Sequence, residues 1–471
     1  MDSHHQETAR VHGYGKGAAL VCLIALTCAF ALAYEFSPGF MSFDTLYQYR
    51  QAKGLAALND AHPVIMVMLW RFFASVSDNT GAMLLFHQIL YWLTVALFSL
   101  LVARRLAYRI ALLLLIGFCP PLVITSLHIW KDVGMMCMLA LACVALLGYL
   151  RNRHWAWLLL AALALFYAIA VRINGFIPGV FLMAFLAYAA VARTRLPALK
   201  KTGAALLAVA ALSLAYFQGI AALNANAEKS NGLGTLLVWD LAEISLVRGE
   251  DVIPPYIPRV GTGPLLQDLA RVRVPDTNYP YWAVVWPFPS QEFQGRLLPD
   301  WLKVVAANPG AYLKHRGHLF LTMLGIGVPK IYYPYHPGID SNEFGFKFNH
   351  ISQQRADSYF RGFDRLAATV FYKPWVYLLL CAATLVLAGQ RVRKERGSRD
   401  DNLLAATVAL SGIANMASLF FLATAADYRY VIWTVFAGLL GGVMAGADRL
   451  RERSLGNVRA DAMPRRERGM A

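Results

Sequence analysis

HPVIMVMLWRFFASV, His62 to Val76, is apolar enough for a membrane and too short to cross one as a straight helix. A spanning helix needs about 20 apolar residues, and Arg71 interrupts this run where a lone charge is costly. Whether the run crosses sets the sidedness of everything after it, and the charges elsewhere in the chain answer that question. If it stays on the surface, five basic groups share the side of the N-terminus. They are Arg104, Arg105 and Arg109; Arg151 and Arg153; Arg193, Arg195, Lys200 and Lys201; Arg391, Arg393, Lys394, Arg396 and Arg399; and the tail from Arg449 to Arg468. A uniformly basic side is the mark of cytoplasmic loops. If the run crosses, the N-terminus is parted from all the others. The charges therefore read His62–Val76 as a helix lying on, or dipping into, the outer membrane surface.

Composition agrees with a polytopic all-α membrane protein. Of 471 residues, 58% are hydrophobic and 15% charged, where soluble domains carry about a quarter charged residues. About ten spans are expected, at 17–36, 81–103, 109–127, 132–150, 154–171, 175–192, 202–223, 373–389, 403–423 and 430–447. This divides the chain into a cytoplasmic N-terminus (1–16), a transmembrane module (17–223) with a first external loop (37–80), an external interfacial segment (224–372), C-terminal spans (373–447) and a basic tail (448–471). The first run, Ala18 to Tyr34, is also shaped like a signal peptide with Ala31-Leu-Ala33 as its cleavage site. Its length and the spans behind it favour an uncleaved helix. The net charge of +16 lies mainly in short loops and the tail, where it orients helices and meets headgroups rather than nucleic acid. All six cysteines lie in apolar runs without metal or disulfide spacing.

The external segment carries proline-aromatic stretches at 253–258, 279–289 and 330–338 that suit a headgroup layer. Tyr312–Val328 reads as an interfacial helix whose start is crowded by Lys314, His315, Arg316 and His318; a metal site there lacks a third ligand. Asp240, Glu243, Glu250 and Asp251 read as surface or local-structure acids, with Asp240 near a helix cap. Gly438, Gly442 and Gly446 at four-residue spacing favour close helix packing.

The sparse polar residues of the other outward connections carry the candidate chemistry, because lone charges at span ends are functional candidates. Asp44 opens Ser42–Leu55, SFDTLYQYRQAKGL, whose Leu46, Tyr47, Tyr49, Ala52 and Leu55 seat a surface helix capped by Ser42 or Asp44. A partly desolvated carboxylate there can take a proton from a sugar hydroxyl. His62 precedes Pro63 at a helix start. Lys131-Asp132, Arg172 with Asn174, and Asp427-Tyr428-Arg429-Tyr430 end three other connections. Arginine suits phosphate because its planar fork donates to two oxygens.

Asp44-Thr-Leu-Tyr-Gln48, then His62-Pro63, Trp130-Lys131-Asp132, Arg172-Ile-Asn174-Gly175 and Asp427-Tyr428-Arg429-Tyr430, resemble the motifs of the GT-C superfamily of integral-membrane glycosyltransferases. Relatives there include the protein O-mannosyltransferases and the lipid A aminoarabinose transferases. The likeness covers roughly 17–223 and 373–447. It implies a polyprenyl-phosphate-linked sugar donor, transfer to a glycan, lipid or protein acceptor at the outer face of the cytoplasmic membrane, and both termini in the cytoplasm. It implies Asp44 as the catalytic acid of the first loop, with Gln48, His62, Lys131, Asp132, Arg172, Asn174, Asp427, Arg429 and Tyr430 as the substrate and phosphate residues. Many superfamily members pair two acids in that loop; here Thr45 follows Asp44, which leaves a divalent cation such as Mg or Mn an open question. A single displacement would invert the anomeric configuration. An O-antigen ligase or polymerase shares the outward arginines and large external loop. A lipid flippase would instead show ionisable residues at span midpoints or broken, repeated helices.

Overall fold

The computed structural model describes residues 2–76, 81–230, 232–288 and 291–462. The end of the first loop at 77–80 and the tail beyond 462 lie outside the described residues. Those described form helices joined by loops, with isolated bridges and no strand. Among the described residues, seven helices are long and apolar enough to cross a membrane: Lys16–Glu35, Ala82–Val102, Lys131–Asn152, Ile173–Val191, Ala198–Leu223, Pro374–Arg393 and Arg399–Leu422. Ala156–Val171 and Ile432–Ala447 are apolar and shorter. The set is consistent with a chain that crosses a membrane many times.

Burial ranks these helices. Lys131–Asn152 is 89% buried over its apolar window and packs against Ala82–Val102, Ala156–Val171 and Arg399–Leu422. Ala198–Leu223 is 6% buried, with Leu199 and Leu207 exposed. A helix apolar all round belongs in a core or in lipid, and these two take one place each.

The straight span expected over 109–127 is instead two helices, Leu106–Gly117 and Pro120–Ser126, bent by 66°. Pro120 cannot donate a backbone hydrogen bond, so it opens a new helix rather than continuing the old one. The break exposes carbonyls that an apolar medium cannot satisfy. The Tyr91 hydroxyl donates to the carbonyls of Ile116 and Gly117 at 3.1 and 3.0 Å. The break is thereby sealed by protein.

The surface-helix reading of His62–Val76 has its counterpart in Val64–Val76, 13 residues long, or about 20 Å at the α-helical rise. It packs on the Phe43–Ala52 helix, and Arg71 reaches the last carbonyls of that helix, Gln51 O and Ala52 O, both at 3.3 Å. Ser42 occupies the N-cap without capping: its hydroxyl accepts instead from the Trp130 indole at 3.0 Å.

Short parallel bridges stitch separate loops together at one end of the bundle. Phe40 pairs with His128, and Met41 pairs with Ile339. The long segment is tied to the last loop where Thr277 pairs with Ala425. At the other end of Lys131–Asn152, about 30 Å away by the helical rise, Arg151 and Arg153 meet Asp401 and Asp400 at 2.8 and 3.1 Å.

Within 224–372 two expectations change. Asp240 lies mid-helix in Leu233–Arg248, not at a cap. It is fully buried against Arg316, also fully buried, at 2.7 Å. His315 lies 3.4 Å away, and the Trp301 indole donates to Asp240 at 3.0 Å. Glu243 is likewise buried and holds Arg273 at 2.9 Å. Asp240 and the basic helix start are thus partners, brought together by packing of Leu233–Arg248 on Pro309–Leu324, while Glu243 is met by Arg273. The 330–338 stretch also turns inward, with Ile331, Tyr335 and His336 buried.

Of the three spaced glycines, two lie at a helix crossing. A Cβ on Gly438 would stand 2.9 Å from the Tyr377 carbonyl, and one on Gly442 would stand 3.1 Å from the Leu380 side chain; around Gly446 there is open space. Backbone cannot yield as a side chain can. Gly438→Ala should therefore destabilise the fold by roughly 1–3 kcal/mol. Gly446→Ala should be neutral or stabilising by up to about 1 kcal/mol. Thermal unfolding in detergent checks both.

Candidate functional site

The stitched loops gather side chains from four separate parts of the chain. Arg429 stands at the centre. Its Nη1 donates to Asp44 Oδ2 at 3.2 Å and its Nε to Asp427 Oδ2 at 3.1 Å. The guanidinium lies between the rings of Trp130 and Tyr430, 5.1 and 5.3 Å from their centroids. Arg172 shares the Tyr430 ring at 4.7 Å and pairs with Asp132 at 2.8 Å. Trp130 is fixed in turn by Ser42 and by stacking on His128.

Lys131 differs from the two arginines. Its Nζ donates to the Ala61 carbonyl at 3.0 Å, and among the described residues it makes no ion pair. It still lies in electrostatic reach of Asp44, Arg172, Asp132 and Arg429. Three cations and three carboxylates thus share the site, with Lys131 the cation whose charge is not met in contact.

Asp44 sits in the first turn of Phe43–Ala52, where the helix dipole favours a negative charge. Its side chain is 37% exposed, so it is open to a ligand. Burial alone would raise its pKa, but the positive charges of Arg429, then Lys131 and His62, hold it down to about 2. Asp427 moves the other way: burial and the neighbouring Asp132 and Asp44 raise its pKa despite Arg429. His62 stacks loosely on Tyr47, 5.0 Å between centroids. Burial, reinforced by Lys131 and opposed by Asp44, lowers its pKa to about 4. It is a neutral imidazole near pH 7.

The structure brings Asp44, His62, Lys131, Asp132, Arg172, Asp427, Arg429 and Tyr430 together. Gln48 is buried beneath them with Oε1 unpartnered. Asn174 lies half-buried in the short turn Ile173–Gly175 and makes no side-chain hydrogen bond to the others. That turn needs Gly175, since a Cβ there would stand 2.8 Å from the Ala168 carbonyl. Among the described residues, no three His, Cys, Asp or Glu groups are placed to hold a metal ion.

Residues not read from the sequence complete the rim. His128 is fully buried. Its Nε2 accepts from the His336 backbone at 3.0 Å, so its proton sits on Nδ1, facing the carbonyls of Ile124 and Thr125. Tyr333 and His336 come from the long segment, and the Tyr428 amide donates to the Tyr333 carbonyl at 3.3 Å. The only signal for them was that KIYYPYHPG is dense in groups able to hydrogen-bond; its loop conformation has no period to read.

Acid should weaken this region in two stages. His62 binds its proton more weakly folded than unfolded, so its contribution is whole above pH 6.5 and fades as pH falls towards 4. Asp44, depressed from 3.8, then loses its contribution as pH falls through about 2. His62→Gln should flatten the fall in melting temperature between pH 6.5 and 4 and leave the lower stage in place.

The sequence matches no protein-family model and no curated protein.

Proposed function

We propose that this chain is a membrane glycosyltransferase that moves a sugar from a polyprenyl-phosphate donor to a hydroxyl acceptor. The observation that carries the reading is Arg429 held between Asp44 and Asp427, with Arg172 and the unpaired Lys131 beside it. A lipid phosphodiester bears one negative charge, and such a cluster offers it charge-assisted hydrogen bonds. The donor's tail lies along the apolar helices, about ten of which cross the cytoplasmic membrane, with the site at the outer face and the Arg151–Asp401 end in the cytoplasm.

The acceptor oxygen attacks the anomeric carbon as its bond to the phosphate oxygen breaks. The leaving phosphate gains charge as it departs, and fixed cations stabilise that charge without reorganising. Asp44, ionised throughout the physiological range, accepts a hydrogen bond from the attacking hydroxyl and aims it. One displacement inverts the anomeric centre. A transporter is the second reading, favoured by the broken helix at Pro120. Among the described residues that break is single, and Tyr91 satisfies its carbonyls.

Undecaprenyl phosphate binding to the full chain in nanodiscs tests the reading. Lys131→Met keeps the apolar stem and removes the charge. It should weaken binding roughly tenfold, the worth of one charge-assisted hydrogen bond. Unchanged affinity contradicts the reading, as does purified protein that moves a labelled lipid-linked sugar across vesicles without forming product.

A further inference from the structure

We propose that Tyr333, His336 and Asp340 form a proton relay from the sugar-transfer site to solvent, with Tyr333 the residue that touches the acceptor hydroxyl. The inference rests on the sugar-transfer reading above and adds to it the destination of the proton.

Asp44 is the residue that most needs help. A carboxylate held at about 2 is ionised but has little affinity for a proton, and proton transfer gains from a base matched to the working pH. The relay offers a better acceptor at the same rim. The Tyr333 hydroxyl is 2.5 Å from His336 Nδ1, and His336 Nε2 is 3.2 Å from Asp340 Oδ1. Asp340 lies at ion-pair distance from Nε2 without an aligned hydrogen bond, and its negative charge favours a proton on that nitrogen, so Nδ1 is left to accept from the phenol. The inner end lies beside the site: the Tyr333 carbonyl accepts from the Tyr428 amide at 3.3 Å, and its phenol feels the charges of Asp427, Arg429 and Asp44. The outer end reaches water, since Asp340 is 44% exposed.

Holding the loop in place does not require the phenol–imidazole bond. The loop is already fixed by Met41 N to Gly338 O, Asp340 N to Met41 O, Tyr428 N to Tyr333 O and His336 N to His128 Nε2. Tyr333 also adopts φ +43°, a left-handed conformation that a bulky residue takes only when its surroundings impose it. Strain of this kind concentrates at functional sites.

The step balances. As the acceptor oxygen bonds to the anomeric carbon, the proton it shares in a three-centre hydrogen bond between Asp44 and Tyr333 passes to the Tyr333 oxygen. The phenol's own proton passes to His336 Nδ1. Asp340 steadies the resulting imidazolium, and the lipid phosphate leaves with the electron pair of the broken bond. The proton then departs to water past Asp340. The charged and titratable groups facing His336 are Asp340, Arg429, His128 and Tyr333. Burial lowers its proton affinity most, Asp340 raises it and Arg429 lowers it, with a net shift downward.

The test uses the full chain in nanodiscs, a panel of polyprenyl-phosphate-linked hexoses and pentoses, and undecaprenyl phosphate as the binding probe. Tyr333→Phe should lower kcat about a hundredfold or more with probe affinity within about twofold of wild type. The wild-type rate should rise with pH through one acid limb. In Asp340→Asn that limb should move to lower pH and the plateau should fall, because the carboxylate no longer favours the imidazolium. A structural role for Asp340 would not move the limb. Tyr333→Phe retaining its rate overturns the relay while leaving the site reading intact. So does an unmoved limb in Asp340→Asn, or an Asp427→Asn variant that alone loses the rate. A wild type that transfers no sugar from any donor overturns the site reading, and the relay falls with it.

Discussion

Asp44→Asn should lower sugar transfer roughly 10²–10³-fold, the scale of losing a group that aims a reacting hydroxyl or meets its charge. Affinity for undecaprenyl phosphate should stay the same or tighten a few-fold. The sign of the second effect follows from Arg429. In the wild type it divides its donors between Asp44 and Asp427, and the asparagine withdraws one negative charge from the place where an anion must enter. A variant that lost turnover and binding together would point to a collapsed site rather than a missing carboxylate. Normal turnover would remove Asp44 from the chemistry. The helix carrying it should survive the change, since Asn is tolerated in a first helical turn and the Thr45 hydroxyl still holds the Ile129 carbonyl at 2.9 Å.

The largest effect on stability should come from Asp240. Removing one partner of a buried ion pair leaves the other charge stranded, at a cost of about 3–5 kcal/mol. Asp240→Ala strands Arg316, which has no exposure and whose remaining contacts, among them the Ala423 carbonyl at 2.6 Å, the face of Trp239 and the Tyr312 hydroxyl, are all uncharged. Much of this cost comes from the unpaired charge. The double change Asp240→Leu with Arg316→Met should therefore recover most of the melting temperature in detergent. Activity should recover less. Arg316 grips Ala423 at the start of the loop that carries Asp427 and Arg429, and methionine cannot hold that carbonyl.

Much of this arrangement is legible in the sequence because charge and hydropathy act locally. The short apolar run at His62–Val76 reads as a surface helix once the basic loops are counted, and it folds as the 13-residue helix Val64–Val76. The same count set Asp44, Lys131, Arg172 and Arg429 at one end of the bundle, where the structure gathers them. What escaped depends on distant partners or on loops. Asp240 and Arg316 look like unrelated surface charges until two helices 76 residues apart pack together. The break at Cys119-Pro120-Pro121 had its signal in plain view, but total apolar length outweighed it. Ser42 looked like a cap because capping is local, whereas its hydroxyl is claimed by Trp130, far along the chain. Tyr333, His336 and Asp340 touch one another locally, but their loop is tied to the segment before Asp44 by the pairing of Met41 with Ile339. No residue spacing announces that pairing.

The most direct test of the central claim is an experimental structure of the full chain with undecaprenyl phosphate bound. The account predicts the phosphate within hydrogen-bonding distance of Lys131 Nζ and at least one of Arg172 and Arg429, with Asp44 and the Tyr333 hydroxyl facing the side where the sugar would stand. A phosphate held elsewhere, such as among Arg151 and Arg153 at the opposite end of the bundle, would contradict it.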